Sequence, residues 1–219
     1  MIKNQKWVFL KALIVTLIIF NIGVYLGYKL EASRADKINQ LYLESELFLL
    51  DQQIQREAFE IVDLNCDKAV QANIDFADRI FEEALGTIYN YEAANRINNA
   101  IIFQHQRFDL LRTLFWMNSI KIREKCNSNY HNIVYFYDYL EPNAEQIGKQ
   151  NFFSNLLEEI KKEKGNKVML IPIAGDNNLP SIDLLIERYG ITEFPTILID
   201  EKIKITDMKT KEDVLKYLD

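Results

Sequence analysis

The sequence predicts an α/β domain at the carboxyl-terminal end, preceded by an all-α segment and a single N-terminal transmembrane helix. Three observations support this fold class. Residues 12–28 carry no charge and are mostly apolar. No proline occurs between Met1 and Glu141, and apolar residues recur in that part at helical spacing. Beyond residue 130, short runs of β-branched and aromatic residues alternate with helical patterns, which is typical of a sheet covered by helices.

The composition is that of a globular protein and argues against nucleic acid as a partner. The chain has 219 residues, of which 48% are hydrophobic and 26% are charged. Its formal charge of −6 is unevenly distributed, because residues 1–30 carry four lysines and no acid, so that the remainder carries −10. An acidic outer part repels phosphate backbones, and we therefore expect no nucleic-acid partner.

Residues 1–30 are predicted to form a membrane anchor. As a helix, residues 7–28 would span roughly 33 Å, which is enough to cross the hydrocarbon core of a bilayer. Trp7, Tyr25 and Tyr28 are placed where interfacial aromatic residues belong. A cleaved signal peptide is the alternative, although Leu-Glu-Ala at residues 30–32 would be a poor cleavage site. Basic residues flank both ends equally, but the short N-terminal tail favours a cytoplasmic N-terminus and a C-terminal domain outside.

Residues 31–129 are predicted to form a helical stalk or bundle, with helices that pack as a coiled coil or an antiparallel hairpin. The first helix continues from the anchor, the second begins at Asp67 and ends near Gly86, and the third covers residues 99–126. We expect any homo-oligomer to form through this stalk. The predicted packing stripes are Leu43, Leu47, Leu50, Ile54, Ala58 and Ile61; Val70, Ile74, Ala77, Phe81 and Leu85; and Ile101, Phe108, Leu111, Phe115 and Ile122.

Cys66 and Cys126 are the only cysteines, and we expect them to form a disulfide. Each falls at the end of a predicted helix that is distal to the membrane, and their bond would close a loop of about sixty residues, worth roughly 3–4 kcal/mol. Two buried free thiols are the alternative. The spacing excludes a Cys-x-x-Cys motif, and neither the cysteines nor His105 has further ligands at metal spacing. No metal or other cofactor is therefore predicted.

Residues 130–219 are predicted to form the α/β domain, with the element order β-α-β-α-β-β-α. The length of the first strand–helix–strand unit implies a parallel, right-handed crossover. Asp200-Glu201 is predicted to be the tight turn of a hairpin, and Ser181 and Thr210 are predicted helix caps. The predicted strands are residues 133–139, 168–173, 196–199 and 202–206, and the predicted helices are residues 142–164, 181–189 and the segment after residue 210.

This domain resembles the thioredoxin-like superfamily. The resemblance rests on the aromatic first strand at residues 134–137 and on Phe194-Pro195-Thr196, which is followed by Ile-Leu-Ile. It implies a cis peptide bond before Pro195 and a surface on which an extended peptide forms main-chain hydrogen bonds with the preceding residue. The loop at residues 174–180 is predicted to be an ordinary turn near that surface rather than a calcium site. The residues that correspond to the binding surface are Phe194, Pro195, Tyr139, Leu140 and Glu141.

The sequence departs from this superfamily at the redox motif. The two cysteine positions that follow the first strand correspond to Glu141 and Ala144, and neither side chain can form a disulfide. This pattern argues against an enzyme, and a carboxylate at Glu141 is mildly stabilising near a helix N-terminus. The resemblance thus implies a redox-inactive, membrane-anchored module that binds a peptide or another envelope protein. The alternatives are an oxidoreductase or related enzyme that uses Cys66 or Cys126, and a structural, self-associating stalk protein.

Overall fold

The computed structural model describes residues 5–61, 65–92 and 99–218. The chain divides into two compact units, Met1–Glu57 and Ala58–Asp219. The predicted domain boundaries at residues 30 and 129 stay a prediction. The described helices are α1 (Gln5–Ile61), α2 (Cys66–Glu92), α3 (Asn99–Cys126), α4 (Ala144–Lys164), α5 (Pro180–Tyr189) and α6 (Lys211–Leu215), and the described strands are β1 (His131–Tyr137), β2 (Val168–Ala174), β3 (Thr196–Ile199) and β4 (Ile203–Ile205).

Helix α1 forms most of the first unit and is continuous from Gln5 to Ile61. Within the described residues, Trp7–Leu30 is the one stretch long and apolar enough to span a membrane, a property that anchors and N-terminal signal sequences share. The predicted packing stripe is not buried within this unit, because Leu47, Leu50 and Ile54 are exposed. The side chains of Leu43, Ile61 and, in α2, Leu85 lie outside the described residues.

The second unit contains a mixed four-stranded sheet with the strand order β2-β1-β3-β4. The β1–β2 pair is parallel, with His131 opposite Val168, as the predicted crossover requires. The β1–β3 pair is antiparallel, with Phe136 opposite Thr196. The β3–β4 pair is the predicted hairpin. The sheet and its covering helices are therefore confirmed.

Helices cover both faces of the sheet. Since successive side chains of a strand point to opposite faces, Tyr135 and Phe136 of β1 contact different helices. Tyr135 contacts Phe153 of α4 with ring centroids 6.4 Å apart, and the core on this side also includes Val214 of α6. Phe136 points the other way and contacts Trp116 of α3 with centroids 6.1 Å apart. Helix α3 therefore packs directly on the sheet, on the face opposite α4.

Helix α2 packs along α3, and the two are joined by the disulfide between Cys66 and Cys126, which confirms the expected bond. Phe76 of α2 meets Phe115 of α3 edge-on, with centroids 6.2 Å apart. The predicted core face of α3 is buried as expected. The prediction for α2 was wrong at Phe81, which is 63% exposed, because the face that meets α3 is centred on Phe76 and Ile80 instead.

Of the two helix caps predicted after β1, the one at Thr210 is confirmed, and α4 has a cap that was not predicted. Asn143 and Gln146 form a reciprocal capping box at the start of α4. Thr210 caps α6, as predicted, by accepting a hydrogen bond from the Asp213 amide. The predicted cap at Ser181 was wrong, because α5 begins at Pro180 with Leu179 as the capping residue. Proline suits the first helical position since its ring already holds a helical φ.

Candidate functional site

The candidate site lies at one end of the sheet, where β1 and β2 finish and β3 begins. Because β1 runs parallel to β2 and antiparallel to β3, the chain after Tyr137, the loop after Ala174 and the segment before Thr196 meet at this edge. The first turn of α4 starts at the same edge. All five residues predicted for the binding surface belong to these segments.

Asp138 anchors the turn between β1 and α4. Its main-chain amide donates to Gln150 Oε1 at 2.9 Å, and its carbonyl accepts from Gln150 Nε2 at 3.1 Å. Its carboxylate accepts a hydrogen bond from Gln146 Nε2. Gln150 therefore satisfies both main-chain groups of the residue that would otherwise continue the ladder toward β3, and Gln146 holds the side chain of that residue. Sequence reasoning missed this arrangement, although a polar residue directly after a buried strand is a usable signal.

Phe194 lies across this end of the sheet and half-buries its ring on Gly175. A methyl group on Gly175 would come within 2.1 Å of Phe194 Cζ, so the ring fills the space that a side chain would occupy. The peptide bond between Phe194 and Pro195 is cis. Pro195 itself is buried, so it supports the predicted surface from beneath and does not form part of it.

The main chain of Phe194 has no hydrogen-bond partner among the described residues. Phe136 and Thr196 form the last pair of the β1–β3 ladder, and the next amide on β1, that of Asp138, is taken by Gln150. The Thr196 hydroxyl donates a hydrogen bond to the carbonyl of Glu193, the residue before Phe194, at 2.6 Å. Among the described residues, the N–H and C=O of Phe194 therefore remain available for hydrogen bonds with a bound molecule.

A groove of about 490 Å³ opens between Phe194 and the first turns of α4. Phe194 is the only member of the predicted surface along it. Glu141 is exposed and Tyr139 and Leu140 are half-buried on the neighbouring turn. The residues that line the groove are Asp138, Asn143, Glu145, Gln146, Lys149, Thr192, Glu193 and Phe194.

Asp176 ties that neighbouring turn to the loop after β2. Its two carboxylate oxygens accept hydrogen bonds from the amides of Tyr139 at 2.8 Å and Leu140 at 2.6 Å. Since Phe194 packs on the adjacent Gly175, this loop connects the two halves of the predicted surface. Burial and the Asp176 carboxylate raise the pKa of Asp138, while the hydrogen bond from Gln146 lowers it. The polar loop is thus a structural part of the site.

A buried polar cluster from α3 supports this loop. Asp109 is fully buried and accepts hydrogen bonds from Asn177 Nδ2 at 2.5 Å and from the Ala174 amide at 3.3 Å. Burial raises the pKa of Asp109 from 3.8 to about 6, although the Arg112 guanidinium and these donors favour the charged form. One turn earlier, His105 stacks on Tyr139 with ring centroids 3.6 Å apart.

The sequence assigned neither His105 nor Asp109 a functional role, and the structure buries both side chains. The usable signal was the spacing of four between these two polar residues on an otherwise apolar face. Helical residues at that spacing share a face, so both had to be buried together. Among the residues that the structure describes, no group of three or more His, Cys, Asp or Glu side chains could hold a metal ion.

A second polar cluster occupies the opposite end of the sheet. Asp200 and Glu201 are the central residues of the β3–β4 turn, which the Lys202 amide closes on the Ile199 carbonyl at 3.0 Å, and their φ values are 49° and 60°. Arg123 of α3 donates to both carboxylates. Trp116 Nε1 donates to Glu201 at 2.7 Å, and His131 Nδ1 lies 2.6 Å from Asp200 Oδ2. These acidic side chains are paired within the fold.

The disulfide is at this second end. Cys126 comes shortly before the amino end of β1, whereas Phe194 lies beyond its carboxyl end. A strand of that length covers roughly 20 Å at about 3.3 Å per residue. At the two positions that the sequence analysis compared with redox cysteines, Glu141 is exposed and Ala144 is the first residue of α4.

Comparison with known proteins gives only a partial likeness. No family model matches the chain, and no curated protein matches it. A solved structure described as a malarial protein is 15% identical with a TM-score of 0.33, covering 41% of this chain and 94% of its own. The germline-specific thioredoxin Deadhead from Drosophila melanogaster is 14% identical with a TM-score of 0.30, covering 46% of this chain and 89% of its own.

Proposed function

We propose that residues 130–219 form a thioredoxin-like domain that captures an extended segment of another protein without redox chemistry. The strand order β2-β1-β3-β4, with one parallel pair and helices on both faces, supports the proposed fold. The observation that carries the function is the main chain of Phe194, which has no hydrogen-bond partner among the described residues and lies beside an open groove. An extended peptide can satisfy such groups as an added strand would.

The proposed absence of redox chemistry rests on the position of sulfur. Glu141 and Ala144 occupy the places where a thiol pair would start α4, and the Cys66–Cys126 bond lies at the other end of β1. The alternative is thiol–disulfide exchange through that bond. An insulin-reduction assay with the wild-type chain and with Cys66→Ser/Cys126→Ser separates the two. Turnover that disappears in the double variant would overturn the redox-inactive proposal.

The proposed place of action is the cell envelope. The apolar stretch Trp7–Leu30 supports a single-pass anchor. A cytoplasmic N-terminus is proposed together with it. In that arrangement the captured partner is another envelope protein. The alternative of a purely structural stalk protein predicts self-association of the full-length chain that is indifferent to changes at Phe194.

Site-specific photo-crosslinking in native membranes tests the capture. A benzoylphenylalanine probe at Thr192 or Lys149, both on the groove, should yield a discrete crosslinked product, and a probe at Glu187 on α5 should not. Phe194→Asp should abolish the product because it places a charge where the peptide must lie. Phe194→Leu, which keeps an apolar side chain, should retain it. Equal products from all three probe positions, or no effect of Phe194→Asp, would overturn the proposal.

A further inference from the structure

The groove beside Phe194 carries an excess of negative charge that the fold does not neutralise. Three carboxylates line it, those of Asp138, Glu145 and Glu193, against the single ammonium group of Lys149. None of the three is ion-paired among the described residues. At the other end of the sheet, by contrast, the carboxylates of the β3–β4 turn are paired with Arg123.

One of the three carboxylates that line the groove, that of Asp138, is fixed in position. Asp138 is held through its main chain by Gln150 and through its carboxylate by Gln146. Burial and, to a lesser extent, repulsion by the neighbouring Asp176 carboxylate raise the pKa of Asp138. A cationic group placed in the groove would relieve this repulsion, and it would meet an acceptor whose side chain is already ordered.

The geometry points to a ligand: we propose that this groove takes an extended peptide segment that carries lysine or arginine. The proposal rests on the proposed function, since the same main-chain groups of Phe194 would hold the peptide. Side chains of an extended strand alternate between two directions. One set would meet the Phe194 ring, and the other would meet the carboxylates of Asp138, Glu145 and Glu193.

The same negative charges of the groove argue against anionic partners. Phosphate backbones and anionic lipid headgroups are repelled by unneutralised carboxylates, and an acidic peptide would meet only Lys149. Charge complementarity of this kind acts on specificity and on the rate of encounter more than on packing. The selectivity for basic segments should therefore weaken as salt is added, because the groove is open to solvent.

Binding of synthetic peptides to the full-length chain in detergent tests the proposal. The probe is a fluorescein-labelled peptide of alternating valine and lysine, about seven residues long and roughly 23 Å when extended. Matched peptides carry glutamine or glutamate in place of lysine. At low salt the lysine peptide should bind about tenfold more tightly than the glutamine peptide and more tightly still than the glutamate peptide.

Charge-reversal variants locate the selectivity. Glu193→Lys and Glu145→Lys should each weaken binding of the lysine peptide by about fivefold, and should weaken binding of the glutamine peptide much less. Glu187→Lys, an exposed reversal on α5 away from the groove, should change neither. Equal affinity for the three peptides, or equal effects of all three reversals, would overturn the basic selectivity.

The two proposals fail in different ways. If Phe194→Asp abolishes binding of the lysine and glutamine peptides alike while the two bind equally to the wild-type chain, capture stands and selectivity falls. If neither peptide binds, or if both bind Phe194→Asp as well as the wild type, capture at Phe194 falls and the selectivity falls with it. A lysine preference that is lost in Glu193→Lys and in high salt supports both.

Discussion

Gly175 sets the position of the Phe194 ring at the candidate site. The ring occupies the space into which any side chain at residue 175 would project, with 2.1 Å between an added methyl group and Phe194 Cζ. We expect Gly175→Ala to displace the ring, to lower the free energy of unfolding by about 1–2 kcal/mol and to reduce crosslinking from Thr192. Urea unfolding and the crosslinking assay measure the two effects.

Gly148→Ala is the matched control for that change. Gly148 is an exposed helical residue with nothing within 4 Å of an added methyl group. Alanine is the better helix former, so this variant should gain up to about 1 kcal/mol of stability and crosslink normally. If Gly175→Ala behaved in the same way, the ring of Phe194 would not depend on the glycine.

Asp109 gives the stability of the protein a specific pH dependence. Its pKa is raised from 3.8 to about 6 by burial, so the folded state prefers the protonated form. The contribution is therefore fully present below about pH 4 and is lost as pH rises through about 6. Since one pKa unit corresponds to about 1.4 kcal/mol, the loss is on the order of 3 kcal/mol.

Asp109→Asn should remove this dependence. The amide keeps acceptors for Ala174 and Arg112, and Asn177 can turn its unpartnered Oδ1 toward the new donor. The free energy of unfolding of the wild type relative to the variant should fall between pH 4 and pH 7. Urea titrations of the full-length chain in detergent, followed by Trp116 emission in a Trp7→Phe background, measure it. A difference that stays constant with pH would contradict the buried, titrating Asp109.

At the residue scale, the sequence predicted the part of the site that depends on local pattern. Phe194 and the segment around it follow from a proline at the start of a buried strand. Asp109, Asn177 and Asp176 could not be placed, because their roles depend on α3 meeting the loop after β2. That contact joins segments far apart in the chain, and no local pattern reports it.

At the element scale, helix α3 shows both the reach and the limit of periodicity. Its apolar stripe predicted which residues are buried, and all five are. Periodicity identifies a buried face but not the surface that covers it. The other side of α3 also meets the fold, because Trp116 contacts Phe136 of β1 while Phe115 contacts Phe76 of α2. A helix assigned to a stalk thus packs on the sheet.

The disulfide between α2 and α3 should contribute substantially to stability. The cysteines are 60 residues apart, and a cross-link that closes such a loop is worth about 3–4 kcal/mol through the unfolded chain. We expect Cys66→Ser/Cys126→Ser to lower the free energy of unfolding by that amount. Urea unfolding of both proteins in the Trp7→Phe background measures the difference.

Reduction of the wild-type protein is the control for that variant. Dithiothreitol should lower the stability of the wild type to that of the double-serine variant and leave the variant unchanged. The crosslinked product from Thr192 should persist in both, because the bond lies at the other end of β1. A stability difference below about 1 kcal/mol would show that α2 and α3 are held together by packing alone.

At the scale of the whole molecule, the anchor and its orientation are open to a direct test. The full-length chain should stay in the membrane fraction after carbonate extraction, because Trp7–Leu30 is long enough to span. A membrane-impermeant amine reagent should label the exposed Lys209 and Lys216 in intact cells. An intact mass that lacks the N-terminal residues would instead identify a cleaved signal sequence.

The sequence predicted the sheet and its helices in outline, but it did not show which of the preceding helices pack on the sheet. Alternating strand and helix patterns, a parallel crossover and a turn at Asp200-Glu201 follow from local composition. The grouping of α2 and α3 with the sheet in the unit Ala58–Asp219 depends on contacts between distant segments. Local pattern therefore locates elements, whereas tertiary contacts decide which elements belong together.

The packing of α3 on the sheet limits how far the chain can be truncated from its N-terminus. A fragment beginning at Tyr130 would lose Trp116 and expose Phe136. It would also leave Asp200 and Glu201 without the ion pairs that Arg123 provides. Such a fragment should aggregate in solution, because the exposed aromatic surface of the sheet can associate with other apolar surfaces. A fragment that begins at Asn65 would keep α2, α3 and the disulfide between them. It should be the smallest fragment suitable for crystallisation.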